Sequence, residues 1–415
     1  MPRWLRLTLM IGGGTLALLV GGLFLLTWFA FRIRLDPARH AAPAETAPAL
    51  AANDLGTLLE TIRAKEKVPA LAAVVLRGDT IVATGIVGVR EAGRPERATL
   101  HDAFHLGSDT KAMTATMIAR LVEQGKLRWD STLGDVFGSA VPTMDPAWRQ
   151  VTLTQLLTHR AGVSGDLSEG GLWKRLWQQR GTLLEQRMEL VRGVLARPPL
   201  HPPGTKFLYS NGGYAIAGAM AETVTGRTWE DLMQSELFQP LGIASAGFGA
   251  PGTPGRHDQP LGHTQTGAAM ELGPTADNPP AISPAGRVHM SVTDWAKFIA
   301  LHLRGDAANP HRQVSLLRPE TFDFLHRPAV GPGQPYACGW GVAEMPWAEG
   351  TGPDARGLIL AHDGSNTFWY CAVLLAPERD WAVLVVCNQG GTHGQAACHA
   401  ATTQLRQRFL ADGKP

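Results

Sequence analysis

The stretch Phe104-His105-Leu106-Gly107-Ser108-Asp109-Thr110-Lys111 holds the only S-x-x-K motif in this 415-residue chain. Apolar residues recur after it at spacings near 3.6, from Met113 to Val122, so the sequence predicts a helix that ends at Gly125. Three residues are slightly less than one helical turn, so the Lys111 amine can reach the Ser108 hydroxyl. A serine hydroxyl becomes an effective nucleophile when a base takes its proton, and burial lowers the pKa of a lysine toward that role.

Two later motifs give this pair a context that an isolated S-x-x-K lacks. One is Tyr209-Ser210-Asn211, and the other is His362-Asp363-Gly364-Ser365, which ends the apolar run Leu358-Ile359-Leu360-Ala361. The order S-x-x-K, Y-x-N and [K/H]-x-G resembles that of the serine beta-lactamase and penicillin-binding protein superfamily. The Y-S-N form resembles its class C branch, which also contains esterases and D-amino-acid peptidases.

The resemblance covers roughly residues 54 to 410 and implies a fold. That fold is α/β (α+β), beta-lactamase/transpeptidase-like, with an antiparallel sheet flanked by helices and an all-helical lobe beside it. Patterns of apolar residues and turn residues agree with this expectation. They predict helices at 54–67 and 395–410, a hairpin of strands 71–77 and 80–87 around Gly78-Asp79, and strands at 339–344, 358–361, 367–375 and 381–387.

The resemblance also implies a role for each motif residue. Ser108 would attack an acyl carbonyl and carry the acyl group through a covalent intermediate. Lys111 and Tyr209 would share the work of the base, and an adjacent ammonium would lower the pKa of the Tyr209 phenol. The sequence leaves open which of the two takes the proton. Asn211, which donates and accepts hydrogen bonds, would hold Lys111 and a substrate amide.

The last motif would complete the substrate-binding site. The backbone N–H groups of Ser108 and Ser365 would hold the oxyanion, and Gly364 would let a substrate backbone approach. His362 stands where beta-lactamases usually carry lysine. A histidine of ordinary pKa, about 6.5, is mostly uncharged at neutral pH, so it would attract an anionic substrate only weakly. The attraction would increase as the pH falls toward 6 and the histidine becomes protonated.

The histidine form therefore resembles esterases, amidases and D-amino-acid peptidases more than efficient lactamases. For His362 itself, the alternative is a strand histidine that only satisfies its neighbours. The expected substrate is a small-molecule or peptide acyl compound, whether an ester, a peptide or, weakly, a lactam. A second function class is also open: a catalytically inactive cell-envelope or peptidoglycan-binding protein on the same fold. The oligomeric state is not predicted.

No cofactor or metal is implied by the motifs. His101 and His105 are four residues apart, but no glutamate follows the first histidine, and the segment leads directly into the serine helix. His159 is expected to anchor a turn through a hydrogen bond. The formal net charge is +2, with five arginines and one aspartate in the first 40 residues. The remainder is therefore slightly acidic, so no nucleic-acid partner is predicted.

The N-terminal residues differ in composition from the rest. An uncharged apolar stretch of 25 residues, longer than the roughly 20 needed to span a bilayer, predicts a retained single-pass anchor. A signal peptide cleaved near Ala41 or Ala42 is the alternative. Arginines flank both sides, so the orientation rests on the resemblance, which implies a cell-membrane protein with an extracytoplasmic catalytic domain, periplasmic or extracellular. The predicted order is a basic tail at 1–6, the anchor at 7–31, an Ala/Pro-rich linker at 32–53 and the hydrolase domain at 54–412.

The cysteines allow two interpretations. Cys338, Cys371, Cys387 and Cys398 all lie in the last quarter of the chain. Cys371 and Cys387 flank a predicted turn and would face each other in one strand register, whereas a shift of one residue would place them on opposite faces. Buried free thiols are the other interpretation.

Overall fold

The computed structural model describes residues 54–353 and 355–410. The predicted basic tail, membrane anchor and linker lie outside these residues. Among residues 54–353 and 355–410, none of the helices combines the length and the apolar character needed to cross a bilayer.

The described residues form helices and strands in the following order. The α-helices are α1 Gly56–Glu66, α2 Thr110–Glu123, α3 Leu133–Phe137, α4 Leu153–Leu157, α5 Leu172–Leu176, α6 Leu183–Leu195, α7 Asn211–Thr225, α8 Trp229–Met233, α9 Ser283–Gly286, α10 Val292–Gly305, α11 Pro319–His326 and α12 Gly391–Phe409. The strands are β1 Ala70–Arg77, β2 Thr80–Gly88, β3 Ala103–His105, β4 Gly247–Phe248, β5 Val288–Ser291, β6 Gly341–Glu344, β7 Leu358–Ser365, β8 Tyr370–Ala376 and β9 Trp381–Cys387.

The larger sheet joins the two ends of the domain. Its order is β2-β1-β9-β8-β7-β6, and all neighbouring strands are antiparallel. The predicted hairpin at Gly78-Asp79 is confirmed, because Arg77 pairs with Thr80 across it. The strand that carries the last motif is longer than predicted. It continues through Ser365 instead of ending at Ala361.

Both faces of this sheet are covered, which explains the continuous apolar runs of β1 and β9. Helices α1 and α12 pack on strands of the sheet, and α10 packs on β1 and β9. Alternate β1 residues divide between the two sides. Ala72, Val74 and Leu76 join the core shared with the helical lobe, whereas Leu71 is buried outside that cluster. The predicted sheet flanked by helices beside a helical lobe is confirmed.

The helical lobe is organised around a buried cation. The Arg187 side chain on α6 is fully buried and donates hydrogen bonds to Glu222 on α7 and Glu230 on α8. It also donates to the carbonyl of Pro280 at 3.0 Å. A buried charge needs such partners, since leaving it unpaired costs several kcal/mol. The network ties three helices to the segment that leads into α9.

A small sheet positions the serine motif between the larger sheet and the helical lobe. Its order is β3-β5-β4. The Leu106 N–H donates to the carbonyl of Val288, and a single 3-10 turn, Gly107–Asp109, then leads into α2. The predicted helix after the S-x-x-K motif is confirmed, with Lys111 in its first turn.

The strand register decides between the two interpretations of the cysteines. Tyr370 pairs with Cys387, whereas Cys371 pairs with Val386. The two thiols therefore lie on opposite faces of the sheet. All four cysteines are free and buried, as the second interpretation expected.

Candidate active site

The serine turn is pressed against strand β7. Gly107 has a φ of 47°, and a Cβ there would lie 2.2 Å from the backbone nitrogen of Ser365. Both the left-handed conformation and this contact require glycine. The turn therefore brings the backbone of Ser108 and the end of β7 together, as an oxyanion hole built from these two segments would need.

The amine of Lys111 lies at the centre of the motif residues. Its Nζ is 3.0 Å from Ser108 Oγ, 2.8 Å from Asn211 Oδ1 and 2.7 Å from the carbonyl oxygen of Ala285. The side chain is fully buried, and burial lowers its pKa well below the usual value, although Asp109 opposes this. A neutral amine has two N–H groups for the two carbonyl acceptors and one lone pair for the Ser108 hydroxyl proton. The geometry fits a nucleophile and its base.

Tyr209 is close to this pair, but its electrostatics differ from the prediction. The Lys111 Nζ lies 4.7 Å from the centroid of the Tyr209 ring. Burial raises the pKa of Tyr209 above its usual value, and a hydrogen bond with the Ser108 side chain offsets this only in part. The sequence-based expectation of a lowered tyrosine pKa is therefore wrong. The buried environment favours a neutral phenol.

Helix α7 positions Asn211. Ser210 is its N-cap, with the side-chain oxygen accepting a hydrogen bond from the Gly213 N–H at 3.3 Å. Asn211 is the first helical residue, and its side chain turns toward Lys111. The Ser210 N–H donates to Nδ1 of His159, whose ring lies 4.3 Å from that of Tyr209. The turn-anchoring bond predicted for His159 is thus present, beside the motif tyrosine.

His362 is a buried, neutral histidine in this structure. Its side chain is 8% exposed, Nδ1 donates to the Asp363 carbonyl at 2.8 Å, and Nε2 accepts from the Tyr336 hydroxyl at 3.1 Å. Burial is the largest cause that lowers the pKa of His362 to about 4, and repulsion from the protonated form of Lys111 acts in the same direction. The sequence-based expectation that His362 becomes positively charged near pH 6 is therefore wrong, because its pKa is about 4.

The physical reason for Gly364 also differs from the prediction. A Cβ at this position would lie 2.0 Å from the Leu106 carbonyl oxygen and 2.7 Å from Cys371 Sγ. The glycine thus lets β7 approach the protein's own serine turn, and this space is not open to a substrate. The Ser365 side chain is occupied as well, since its hydroxyl donates to the Trp369 carbonyl at 2.7 Å. What Ser365 can offer to a substrate is its backbone.

Two groups at the site were not singled out from the sequence. The Ala285 carbonyl accepts from Lys111, and the Tyr336 hydroxyl fixes His362. A backbone carbonyl leaves no side-chain signal in the sequence. Tyr336 lies in a loop that carries no sequence pattern of its own. Within residues 54–353 and 355–410, His, Cys, Asp and Glu side chains form no group of three or more suited to a metal ion.

The sequence model of the family described as Beta-lactamase matches residues 55–406. The chain belongs to this family. It is 28% identical over 347 residues to "Penicillin-binding protein 4" of Amycolatopsis lactamdurans, covering 80% of this chain and 84% of the relative. It is 31% identical over 170 residues to the "Lovastatin esterase" of Penicillium rubens, covering 38% of this chain and 42% of that one.

A solved structure extends the likeness to three dimensions. The crystal structure of SurE superposes with a TM-score of 0.68 at 25% identity, over 87% of this chain and 76% of that one. The beta-lactamase/transpeptidase-like fold implied by the motifs is therefore confirmed. As a member of the beta-lactamase family, the chain is related to serine hydrolases that include esterases, peptidases and penicillin-binding proteins.

The buried His362 predicts a particular pH dependence of stability. The folded protein keeps His362 unprotonated down to about pH 4, whereas the unfolded chain takes up this proton below about pH 6.5. The contribution of the neutral His362 to the free energy of unfolding is therefore fully present above pH 6.5. It is lost as the pH falls toward 4, at about 1.4 kcal/mol per pH unit. Denaturant unfolding between pH 4 and 7 should give a shallower dependence for His362→Gln than for the wild type.

The exposed His101 provides the control. His101→Gln should retain the wild-type slope of unfolding free energy against pH. Equal slopes for the wild type and His362→Gln would show that His362 is not held neutral.

Proposed function

We propose that this member of the beta-lactamase family is a serine acyl-hydrolase that cleaves an ester, amide or D-amino-acid peptide bond through an acyl-serine intermediate. The observation that carries the proposal is the buried Lys111 amine, 3.0 Å from Ser108 Oγ and held by Asn211 on its other side. This arrangement activates a hydroxyl without a metal or cofactor. The esterase and the penicillin-binding protein among the relatives support acyl chemistry.

The reaction proceeds in two half-reactions. In the first, Lys111 Nζ accepts the proton of Ser108 Oγ, which attacks the acyl carbonyl and forms a tetrahedral oxyanion held by the N–H groups of Ser108 and Ser365. Collapse breaks the bond to the leaving group, and the proton returns to that group. In the second, a water molecule attacks the acyl-serine, and Lys111 takes its proton and returns it to Ser108.

The opposite pKa shifts of the two candidate bases favour Lys111. Burial favours the uncharged form of each group, which is the basic form of a lysine and the acidic form of a tyrosine. Tyr209 then acts as a neutral phenol that gives its proton to the leaving group and takes back the proton that Lys111 accepted from Ser108. Its hydrogen bond with the Ser108 side chain places it beside the reacting oxygen.

The neutral His362 supports a preference for uncharged substrates. Lysine at this position would present a permanent cation, whereas this histidine presents an uncharged ring fixed by Tyr336. Neutral carboxylic esters and amides are therefore the best substrate class, with penicillins and cephalosporins turned over weakly. The lovastatin esterase among the relatives supports an ester.

The proposed location is the membrane, with residues 7–31 as a single-pass anchor and the catalytic domain outside the cytoplasm. The support is the length of this uncharged stretch together with the resemblance of the rest of the chain.

The assignment of the base can be tested by two substitutions at the site. Lys111→Met removes the amine and should slow acylation by a fluorescent phosphonate or an aryl ester by roughly 10²- to 10⁴-fold. Tyr209→Phe should slow it less and leave the acidic limb of the rate profile in place, because that limb reports Lys111. Stopped-flow acylation across pH 5 to 10 measures both effects.

Two control variants test the identity of the nucleophile and the general effect of removing a lysine. Ser108→Ala should form no covalent adduct, and Lys297→Met, at a lysine that is 46% exposed, should behave as the wild type. A full adduct on Ser108→Ala would overturn the proposed function. Disappearance of the acidic limb in Tyr209→Phe, with the limb kept in Lys111→Met, would assign the base to Tyr209.

The substrate preference should respond to the charge at His362. The wild type should favour a neutral aryl ester over penicillins and cephalosporins in kcat/KM, at a ratio unchanged between pH 8 and 5.5, because His362 stays neutral over this range. His362→Lys should raise lactam turnover relative to ester turnover, with each tenfold change equal to about 1.4 kcal/mol. His101→Lys, at an exposed site, should leave the ratio unchanged. A wild type that prefers cephalosporins would contradict this interpretation.

The membrane proposal can be tested by fractionation of cells that express the full chain. An anchored protein should stay in the membrane fraction after washing with alkali and high salt, since a spanning helix is not released by either. Mass analysis should find residues 7–31 still attached. A soluble mature form that starts near residue 42 would instead establish a cleaved signal peptide.

A further inference from the structure

A buried carboxylate beside the serine turn has no part in the proposed chemistry. Asp277 is 5% exposed, and both its oxygens are fully occupied. Oδ2 is 2.8 Å from His105 Nε2 and accepts from Arg287 Nε at 3.1 Å, and Oδ1 accepts from Asn366 Nδ2 at 3.0 Å and from the Asn278 N–H at 2.8 Å. Burial opposes its ionisation, but His105, Arg287 and Asn366 outweigh burial and lower the pKa of Asp277 to about 2.

One of these contacts leads to the peptide before the nucleophile. The Gly107 N–H donates to Nδ1 of His105 at 3.0 Å, so Nδ1 is an acceptor and the ring proton is on Nε2, facing Asp277. The His105 ring is fully buried and stacks on Trp369, with centroids 5.6 Å apart. Asp277 therefore sets the tautomer and the orientation of a ring that holds the backbone one residue before Ser108.

A second contact leads to the other side of the oxyanion hole. Asn366 directly follows Ser365, is 6% exposed, and donates from Nδ2 to Asp277. Its Oδ1 accepts from the N–H groups of Phe368 at 3.2 Å and Trp369 at 3.3 Å. These bonds fix the backbone immediately after β7. The Asp277 carboxylate thus contacts the serine turn through the imidazole of His105 and the end of β7 through the side-chain amide of Asn366.

We propose that Asp277 is a positioning residue that sets the spacing of the two oxyanion-hole N–H groups, through His105 on the Ser108 side and Asn366 on the Ser365 side. The inference rests on the proposed function, because it takes these N–H groups as the oxyanion hole. A carboxylate suits the task because it is rigid and accepts on both oxygens. An asparagine at this position keeps the shape of the side chain but replaces one carboxylate oxygen with an NH₂ group. This NH₂ group would face either the N–H donors of His105 and Arg287 or the N–H donor of Asn366.

The purely structural alternative is that Asp277 only neutralises Arg287, whose side chain is 15% exposed. It predicts lower stability without a specific change in catalysis. Asp306 provides a matched comparison, because it is 2% exposed and also pairs with a buried histidine, with its Oδ2 2.6 Å from His326 Nδ1. Asp306→Asn removes the same kind of buried contact at the residue that follows α10, away from the serine turn.

The test uses the full chain in detergent and a pair of substrates, an aryl ester and its thionoester. Sulfur accepts hydrogen bonds poorly, so the thionoester gains little from the oxyanion hole. Asp277→Asn should lower kcat for the ester by about 10²-fold, which is the usual cost of losing one oxyanion donor, with KM little changed. The thionoester should lose far less, so the ratio of ester to thionoester rates should fall. Asn366→Ala, which releases one side only, should shift this ratio in the same direction.

The comparison variants separate the possible results. Asp306→Asn should lower the melting temperature and leave the ratio of ester to thionoester rates as in the wild type. If Asp277→Asn fails to fold, Asn366→Ala alone decides. An unchanged ratio in the folded variants would overturn the positioning role while leaving Ser108 as the nucleophile, whereas full ester turnover by Ser108→Ala would overturn the proposed function itself.

Discussion

The contact between the serine turn and strand β7 is the constraint on which the site depends. Gly107 and Gly364 each lie against backbone of the other segment, at distances that exclude any side chain. Because these segments belong to opposite ends of the chain, the site exists only when the sheet is complete and β3 has delivered the turn to it. The position of Ser108, the proposed nucleophile, therefore depends on contacts between distant parts of the chain.

Burial is the second physical determinant, and it acts on three groups in one direction. Exclusion of water disfavours charge on Lys111, Tyr209 and His362 alike. The chemical consequences differ because neutral lysine is a base, neutral tyrosine is an acid, and neutral histidine carries no charge for an anionic substrate. In the proposed mechanism, this single environmental effect assigns the proton acceptor, the proton donor and the substrate preference.

The sequence predicted what depends on local pattern and missed what depends on distant neighbours. The hairpin at Gly78-Asp79 and the helix after Ser108 follow from spacing along the chain, and the resemblance supplied the arrangement of the lobes. The reason for Gly364 could not be predicted, since it is the carbonyl of Leu106 that fills the space. The pKa of Tyr209 likewise depends on burial by separate segments, and the attraction to an adjacent ammonium suggested the opposite direction. Asp277 has no motif and gains its place only through His105 and Asn366.

The histidine at position 362 also bears on which group acts as the base. A permanent cation there would lower the pKa of Lys111 and would stabilise a phenolate on Tyr209, because opposite charge favours the ionised form. With a neutral His362, this support for the phenolate is absent, and burial alone lowers the pKa of Lys111. The exchange of lysine for histidine therefore changes more than substrate charge. It removes the support for a phenolate on Tyr209 and leaves burial to keep the Lys111 amine neutral, so in the proposed mechanism both the substrate preference and the identity of the base depend on this one position.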